Sequence, residues 1–300
     1  MSPRIPKGKR SIHEALVQIQ GEEGCDLPDA LVPFSLRAVL AAMSAIPSCH
    51  DHLVVKGGTA LRLACDKPIG RVSTDLDLSL LDAGSTFDEH AITELLPRTI
   101  IDLVDAIYDR PLSIQIKTGK RPARRHIPNI PELYVFGLKA SVDLGHQTVR
   151  AKADLFQIEL ATDEYVDPAF LQTLEVESSG FPIRFRMYAP VQSISEKLRA
   201  LLQKLQLCEK RGNPGELQPR HVLDLEYLFP LLAAGDRPHL KALFDAKCSA
   251  RNVPQAERTR ERLLHPLLKS AVEAETKRSH RTMAAWQRLE ELAALVCPER

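Results

Sequence analysis

The sequence predicts a mixed α/β half followed by an α-helical half. Three observations predict it. Short apolar runs of strand character recur through the first part of the chain, separated by one long amphipathic stretch. From Val191 onward the apolar spacing turns helical almost to the end, and glycines and prolines gather between Asp167 and Pro190. Three hundred residues allow one large or two ordinary domains with a substantial core. The expected organisation is therefore a mixed α/β domain over 1–166, a linker and strand region over 167–190, and an α-helical domain over 191–300.

The elements follow in order. The opening, MSPRIPKGKRSIHEALVQIQ, is positively charged but lacks an uninterrupted apolar core, so it does not read as a signal peptide. Residues 33–46 have helical spacing and few breakers. Leu53, Val54 and Val55 form a short apolar run that ends in Gly57 and Gly58, with a helix expected from Thr59. A second apolar run carries Asp75, Leu76, Asp77 and Leu78. Residues 87–106 read as a helix with an apolar face from Phe87, Ile92, Leu95, Leu96, Leu103 and Val104. Three strand-like runs follow, at 112–117, 134–144 and 149–160, the first alternating apolar and polar. Breaks in the helical half are expected at 212–219 and 235–239.

Composition is that of a soluble globular protein, with 26% charged and 44% hydrophobic residues. A net charge of +1 carries no message about nucleic acid, so an RNA-binding surface must come from local clustering. The six cysteines show no CxxC or Cys/His metal spacing and read as reduced thiols. No run approaches the roughly 18 apolar residues of a membrane span. The expectation is a cytoplasmic protein without a membrane partner.

The chemistry concentrates in KGGTALRLACDKPIGRVSTDLDLSL, from Lys56 to Leu80. Side chains alternate along a strand, so Asp75 and Asp77 face one way while Leu76 and Leu78 enter the core. Two same-face carboxylates about 7 Å apart repel each other unless a cation lies between them. Hard oxygen donors of this kind suit Mg²⁺, whose shell is completed by water and substrate phosphate. Glycine lets backbone N–H groups approach a phosphate, and the helix N-terminus adds a positive field. Ser73 offers a hydroxyl on the aspartate face, and Arg71 and Lys56 are further phosphate contacts by position. Glycine pair, Ser-x-Asp-x-Asp and flanking cations together describe a metal–triphosphate site.

These residues resemble the polymerase-β-like nucleotidyltransferases of the AbiEii type, which include abortive-infection toxins and MenT-type toxins of mycobacteria. The resemblance rests on KGGTAL at Lys56–Leu61, RVSTDLDL at Arg71–Leu78, SEKLRALLQK at Ser195–Lys204 and, more weakly, RHVLDLEYL at Arg220–Leu228. It implies a mixed sheet with flanking helices followed by a helical domain. It also implies a third metal-binding carboxylate on a strand beside the Asp-x-Asp strand. Asp154, inside a run of strand character, fits that role better than Asp143, which lies beside Gly145 where a hairpin would expose it.

Ile194, Leu198, Leu201 and Leu205 form one helical stripe, with Lys197 at its edge, about 60° from the centre. The residues alone favour a lysine whose stem covers the core edge while its ammonium reaches water. The resemblance instead assigns Lys197 to the triphosphate. At that edge, Lys197→Ala is expected to cost under about 1 kcal/mol of stability. In the last motif Arg220, Asp224 and Leu225 match the family, but His221 stands where the family commonly has an acid. Asp224 could orient Lys197 or Arg220, assist deprotonation of the attacking hydroxyl, or form an ordinary surface ion pair. Neutral imidazole makes His221 a base in its own right near pH 7.

Lys117, Lys120, Arg121, Arg124 and Arg125 form the densest positive stretch, a solvated surface by default and a phosphate-tracking one in an RNA-modifying enzyme. The resemblance implies transfer of a nucleotide from an NTP to RNA, at the 3′ end of tRNA, so that translation stops. It further implies a two-metal Mg²⁺ site that Mn²⁺ could also fill, formed by Asp75, Asp77 and Asp154, and a cognate antitoxin. The alternatives are a small-molecule nucleotidyltransferase of the aminoglycoside type and a non-catalytic nucleotide-binding module.

Overall fold

The strand-forming runs assemble into one eight-stranded mixed sheet. The computed structural model describes residues 8–64, 75–82, 88–118, 133–151, 157–162, 164–279 and 282–298. The chain divides into two units, Met1–Val166 with Gln172–Met187, and Asp167–Leu171 with Tyr188–Arg300.

In the first unit the strands are β1 (Leu53–Lys56), β2 (Asp75–Leu80), β3 (Leu112–Thr118), β4 (Leu133–Asp143), β5 (Thr148–Arg150), β6 (Gln157–Ala161), β7 (Leu171–Ser178) and β8 (Phe181–Tyr188). They lie in the order β3-β4-β6-β2-β1-β8-β7, with β5 pairing β4 outside this path. β1 is antiparallel to β2, and β2 is parallel to β6. β8 runs parallel to β1 on its other side, with Val55 opposite Met187. The run expected as one strand over 149–160 is thus divided between β5 and β6.

Helices α1 (Ile12–Glu23), α2 (Leu27–Ala45), α3 (Pro47–His52), α4 (Gly57–Ala64) and α5 (Leu96–Ile107) complete this unit. α1 starts on Ser11, whose side chain accepts the Glu14 N–H, and stops at Gly24 in the left-handed conformation. α2 begins two turns earlier than its apolar spacing suggested, because Asp26 caps it through the Asp29 N–H. It is also long and apolar enough to span a membrane by length and composition, contrary to the expectation that no run approaches that length. Here 72% of its apolar window is buried as a core helix. Phe34 on α2 packs edge-on against Tyr108 and Phe181, tying α2 to the sheet. The helix expected over 87–106 is described from Asp88 and carries a π turn at Ala91–Leu95, where the Leu96 N–H reaches the Ala91 carbonyl. Pro97 follows, and its missing N–H cannot close the next α-type bond.

β7 and β8 are joined by Ser179 and Gly180, both with positive φ, the backbone of a two-residue hairpin turn. Arg37 donates to the Ser179 hydroxyl at 2.6 Å, and the Tyr108 hydroxyl donates to the Ser179 carbonyl. Along β8, Phe181, Ile183, Phe185 and Met187 enter the core while Pro182 and Arg184 face out.

The second unit is built on α6 (Pro190–Arg211), with α7 (Arg220–Leu223), α8 (Leu225–Leu228), α9 (Arg237–Ala250), α10 (Arg260–Leu263), α11 (Pro266–Arg278) and α12 (Ala284–Val296). The expected stripe of Ile194, Leu198, Leu201 and Leu205 is buried, and α6 ends at Gly212 in the left-handed conformation. The break at 212–219 holds a single 3-10 turn. The stretch 235–239 does not merely interrupt the helical pattern: it opens α9, with proline in the first turn where its lost donor is tolerated.

Candidate active site

The alternation expected for the Asp-x-Asp strand is present: Asp75 and Asp77 are partly exposed while Leu76 and Leu78 are buried. Three neighbouring elements set this rim. β1 places Lys56 opposite Asp77. β6 places Gln157 opposite Asp75 and Glu159 opposite Asp77. The first turn of α4 is tied to β2 by the buried Thr59 hydroxyl, which donates to the Asp75 carbonyl at 2.7 Å.

Gly57 opens α4 with φ of +72°, two residues before the expected start. A Cβ here would collide with Oδ2 and Cγ of Asp77. Glycine is required twice over, by the left-handed backbone and by the close approach to that carboxylate. The Gly57–Gly58 turn therefore sits directly against the acidic rim.

Lys56 is ion-paired to Glu164, a residue only 2% exposed. The same Glu164 oxygen accepts from the Ser79 hydroxyl at 2.6 Å, and Ser79 is wholly buried.

Two expected site residues, Arg71 and Ser73, lie outside the described residues, as does Asp154. Asp143 stands at the β4–β5 hairpin, exposed, with its carboxylate accepting the Gly145 N–H at 2.8 Å. Glu159 is an acid that the sequence reading passed over. It lies on the strand next to β2, in register with Asp77 and on the same face, and it accepts from the Gln157 side chain at 2.6 Å. Its signal was present as an acid between two apolar residues, Ile158 and Leu160. Among the described residues no group of three or more His, Cys, Asp or Glu side chains is gathered tightly enough to hold a metal. The donor set still fits Mg²⁺, which takes only one or two protein carboxylates and fills its octahedron with water and phosphate.

In the second unit the Lys197 ammonium donates to Asp224 Oδ2 at 2.6 Å. Both side chains are buried, 10% and 3% exposed, so Lys197 is not the half-exposed edge lysine the stripe suggested. Asp224 lies at the junction of α7 and α8, and the pair links α6 to that junction. Directly before Lys197 on α6, Glu196 pairs with Arg199 and stands 3.4 Å from Lys247 of α9. Lys247 also lies over the Tyr188 ring at 4.5 Å. Burial, reinforced by Arg199 and Arg251, holds the Lys247 ammonium well below the usual lysine range. His221 is held well below the usual histidine range by burial first, then by Lys197 and Arg220. Its Nδ1 is enclosed. Such an imidazole is neutral at pH 7 and a weaker proton acceptor than an ordinary histidine.

Residues 38–292 match the family described as Nucleotidyl transferase AbiEii toxin, Type IV TA system. The chain belongs to this family. It is accordingly a nucleotidyltransferase toxin of a type IV toxin–antitoxin system, with a nucleotide substrate and a cognate antitoxin. The fold is similar to that of MenT4, a nucleotidyltransferase toxin from Mycobacterium tuberculosis H37Rv, at 16% identity and a TM-score of 0.52. That match covers 94% of this chain and 99% of the mycobacterial one. A crystal structure of an antigenic nucleotidyltransferase-like protein from Paracoccidioides brasiliensis aligns at 13% identity and a TM-score of 0.35, over 85% of this chain and 92% of that one. Among curated proteins, none matches.

The AbiEii match spans both units, from within α2 to within α12. It includes the β1–α4 turn, the Asp-x-Asp strand, the Lys197 helix and the Asp224 junction. The mixed α/β fold with a mixed sheet and flanking helices expected from the sequence is the fold observed.

Proposed function

We propose that this AbiEii-family enzyme transfers a nucleotide from an NTP to RNA, with the 3′ end of tRNA as acceptor, and that the reaction depends on Mg²⁺. The observation that carries the reading is the rim on which Asp75 and Asp77 share a face beside the Gly57–Gly58 turn, with Glu159 in register. Asp75 and Asp77 would hold the cation, with Glu159 or Asp154 as the third carboxylate. When bound, Mg²⁺ neutralises phosphate charge and acidifies a coordinated hydroxyl.

The chain's own groups have separate roles. Backbone N–H groups at Gly57 and Gly58 and the α4 N-terminus favour phosphate there. Ser73 and Arg71 are assigned to the same phosphates. Lys197 neutralises charge gathering on pyrophosphate as it leaves, and Asp224 fixes the ammonium for that task. Burial depresses the basicity of His221, which weakens its case as a proton acceptor near pH 7. The basic stretch beginning at Lys117 on β3 supports an RNA acceptor over a cationic drug, for which an acidic pocket is expected.

Incubation with each labelled NTP and total RNA tests the reading. Label entering small RNA supports it, label entering only added aminoglycosides favours the small-molecule alternative, and no label anywhere overturns transfer to either. Charge reversal at Arg121, Arg124 and Arg125 should raise the KM for RNA and flatten its salt dependence while leaving NTP binding nearly unchanged. Unaltered RNA kinetics would assign the stretch to solvated surface.

A further inference from the structure

Lys56 poses a problem for the acidic rim. It stands opposite Asp77 in the antiparallel β1–β2 register. Directly opposed side chains on one sheet face are about 4.5–5.5 Å apart at Cβ. An ammonium within that reach of a carboxylate is drawn to it and competes with any divalent cation for the same oxygens. The competition matters because Asp77 is already crowded by Gly57, which leaves its carboxylate little freedom to turn away.

Glu164 offers the ammonium another partner. It is nearly inaccessible to solvent and pairs with Lys56. The Glu164 oxygen that meets Lys56 also accepts the Ser79 hydroxyl. Ser79 lies two residues beyond Asp77 on β2, hence on the same face. The four residues form a chain of contacts along that face: Asp77 at the rim, then Ser79 deeper, with Glu164 held over Ser79 and Lys56 reaching to it. A buried carboxylate is stable there only while charged partners satisfy it, so Lys56 and Glu164 hold each other in place.

We propose that Glu164, fixed by Ser79, is a positioning residue that draws the Lys56 ammonium off Asp77 and so keeps that carboxylate open to a divalent cation. Lys56 is then not a phosphate contact but a cation kept in check. The inference rests on reading Asp75 and Asp77 as the cation-binding pair.

Mn²⁺ binding to the full-length protein without nucleotide, followed by electron paramagnetic resonance, tests it without turnover. Glu164→Gln keeps the shape but releases the ammonium, and should weaken Mn²⁺ binding by about fivefold. Adding Lys56→Met removes the competitor and should restore the Kd to within about twofold of wild type, a suppression that independent effects do not produce. A folded Glu164→Gln protein with unchanged Kd, or a double variant no better than the single one, overturns the proposal. Should Glu164→Gln fail to fold by circular dichroism, Ser79→Ala loosens the same carboxylate and should show a smaller loss, again suppressed by Lys56→Met. Asp77→Asn is measured alongside. Loss of Mn²⁺ there with no effect of Glu164→Gln overturns the positioning role alone. Wild-type protein that binds no Mn²⁺ overturns the cation reading and this inference with it.

Discussion

Asp75 and Asp77 are partly exposed on a rim, so replacing either with asparagine removes a charge without opening a cavity. Asp75→Asn and Asp77→Asn should each abolish transfer while leaving the thermal midpoint within a few degrees of wild type, as a labelled-NTP assay and a melting curve will show. Gly57 behaves in the opposite way. Gly57→Ala sets a side chain at positive φ, a strain of roughly 1–2 kcal/mol, and drives its Cβ into Asp77. It should lower both stability and transfer, and denaturant unfolding should register a loss of about 2 kcal/mol or more. At this scale the sequence was legible wherever a backbone rule fixes a side chain. Alternation put the two aspartates on one face, and the glycine pair marked the turn. Glu159 shows in the sequence only as an acid inside an apolar run and Glu164 not at all, because nothing local says that β6 will run beside β2 or that the residues after it will reach Lys56. Strand pairing is a long-range outcome that single-residue chemistry does not encode.

At the scale of elements, α6 shows what periodicity conveys and what it omits. Its stripe was correctly read, yet the residue at the edge of the stripe is buried because α7 and α8 bring Asp224 onto it. Lys197→Ala would strand a buried carboxylate, which costs about 3–5 kcal/mol, well above the loss of under about 1 kcal/mol that an edge position implies. Urea unfolding should report that larger figure. The double variant Lys197→Met with Asp224→Leu should lose less than the two single changes summed, since neither partner is left charged and alone. On the catalytic side, Lys197→Arg should transfer little better than Lys197→Ala, because a planar fork does not replace a compact ammonium. The β7–β8 hairpin is only half legible: 167–190 reads as a linker and strand region, because Pro182 and Ser179–Gly180 look like breaks, although Pro182 faces out and Ser179–Gly180 is a hairpin turn. The π turn before α5 was invisible, since only the position of Pro97 hints at it.

Across the whole molecule, buried titratable groups make stability depend on pH. The folded His221 imidazole binds its proton well below the ordinary value, whereas the unfolded one binds it near pH 6.5. Between those values the unfolded chain holds a proton that the folded chain does not, so the His221 contribution is fully present above about pH 6.5 and is lost as pH falls. Melting temperature should drop between about pH 7 and pH 5, and His221→Gln should flatten that part of the curve. Lys247 contributes a slope of the same sign at higher pH, up to its unfolded value near 10.5, and His221→Gln should leave it untouched. The buried thiols act with the opposite sign at high pH: burial pushes Cys49 and Cys248 up to about 12, so the unfolded chain loses those protons first and stability falls as pH rises above about 8.5.

The sheet also has a history in the order of synthesis. β1, β2 and β6, which carry the acidic rim, are all complete by Ala161, yet β8 joins the far side of β1 only after some twenty further residues have been made. Until β8 arrives, β1 is an open edge, four residues of Leu-Val-Val-Lys with unpaired backbone groups on one side. Such an edge is what a growing chain on a crowded ribosome most readily sticks by, so this enzyme passes through its most adhesive state with its acidic strands already in place. Only when Met187 reaches Val55 does the nascent protein stop being a hazard to itself, just before the helix bearing Lys197 is made.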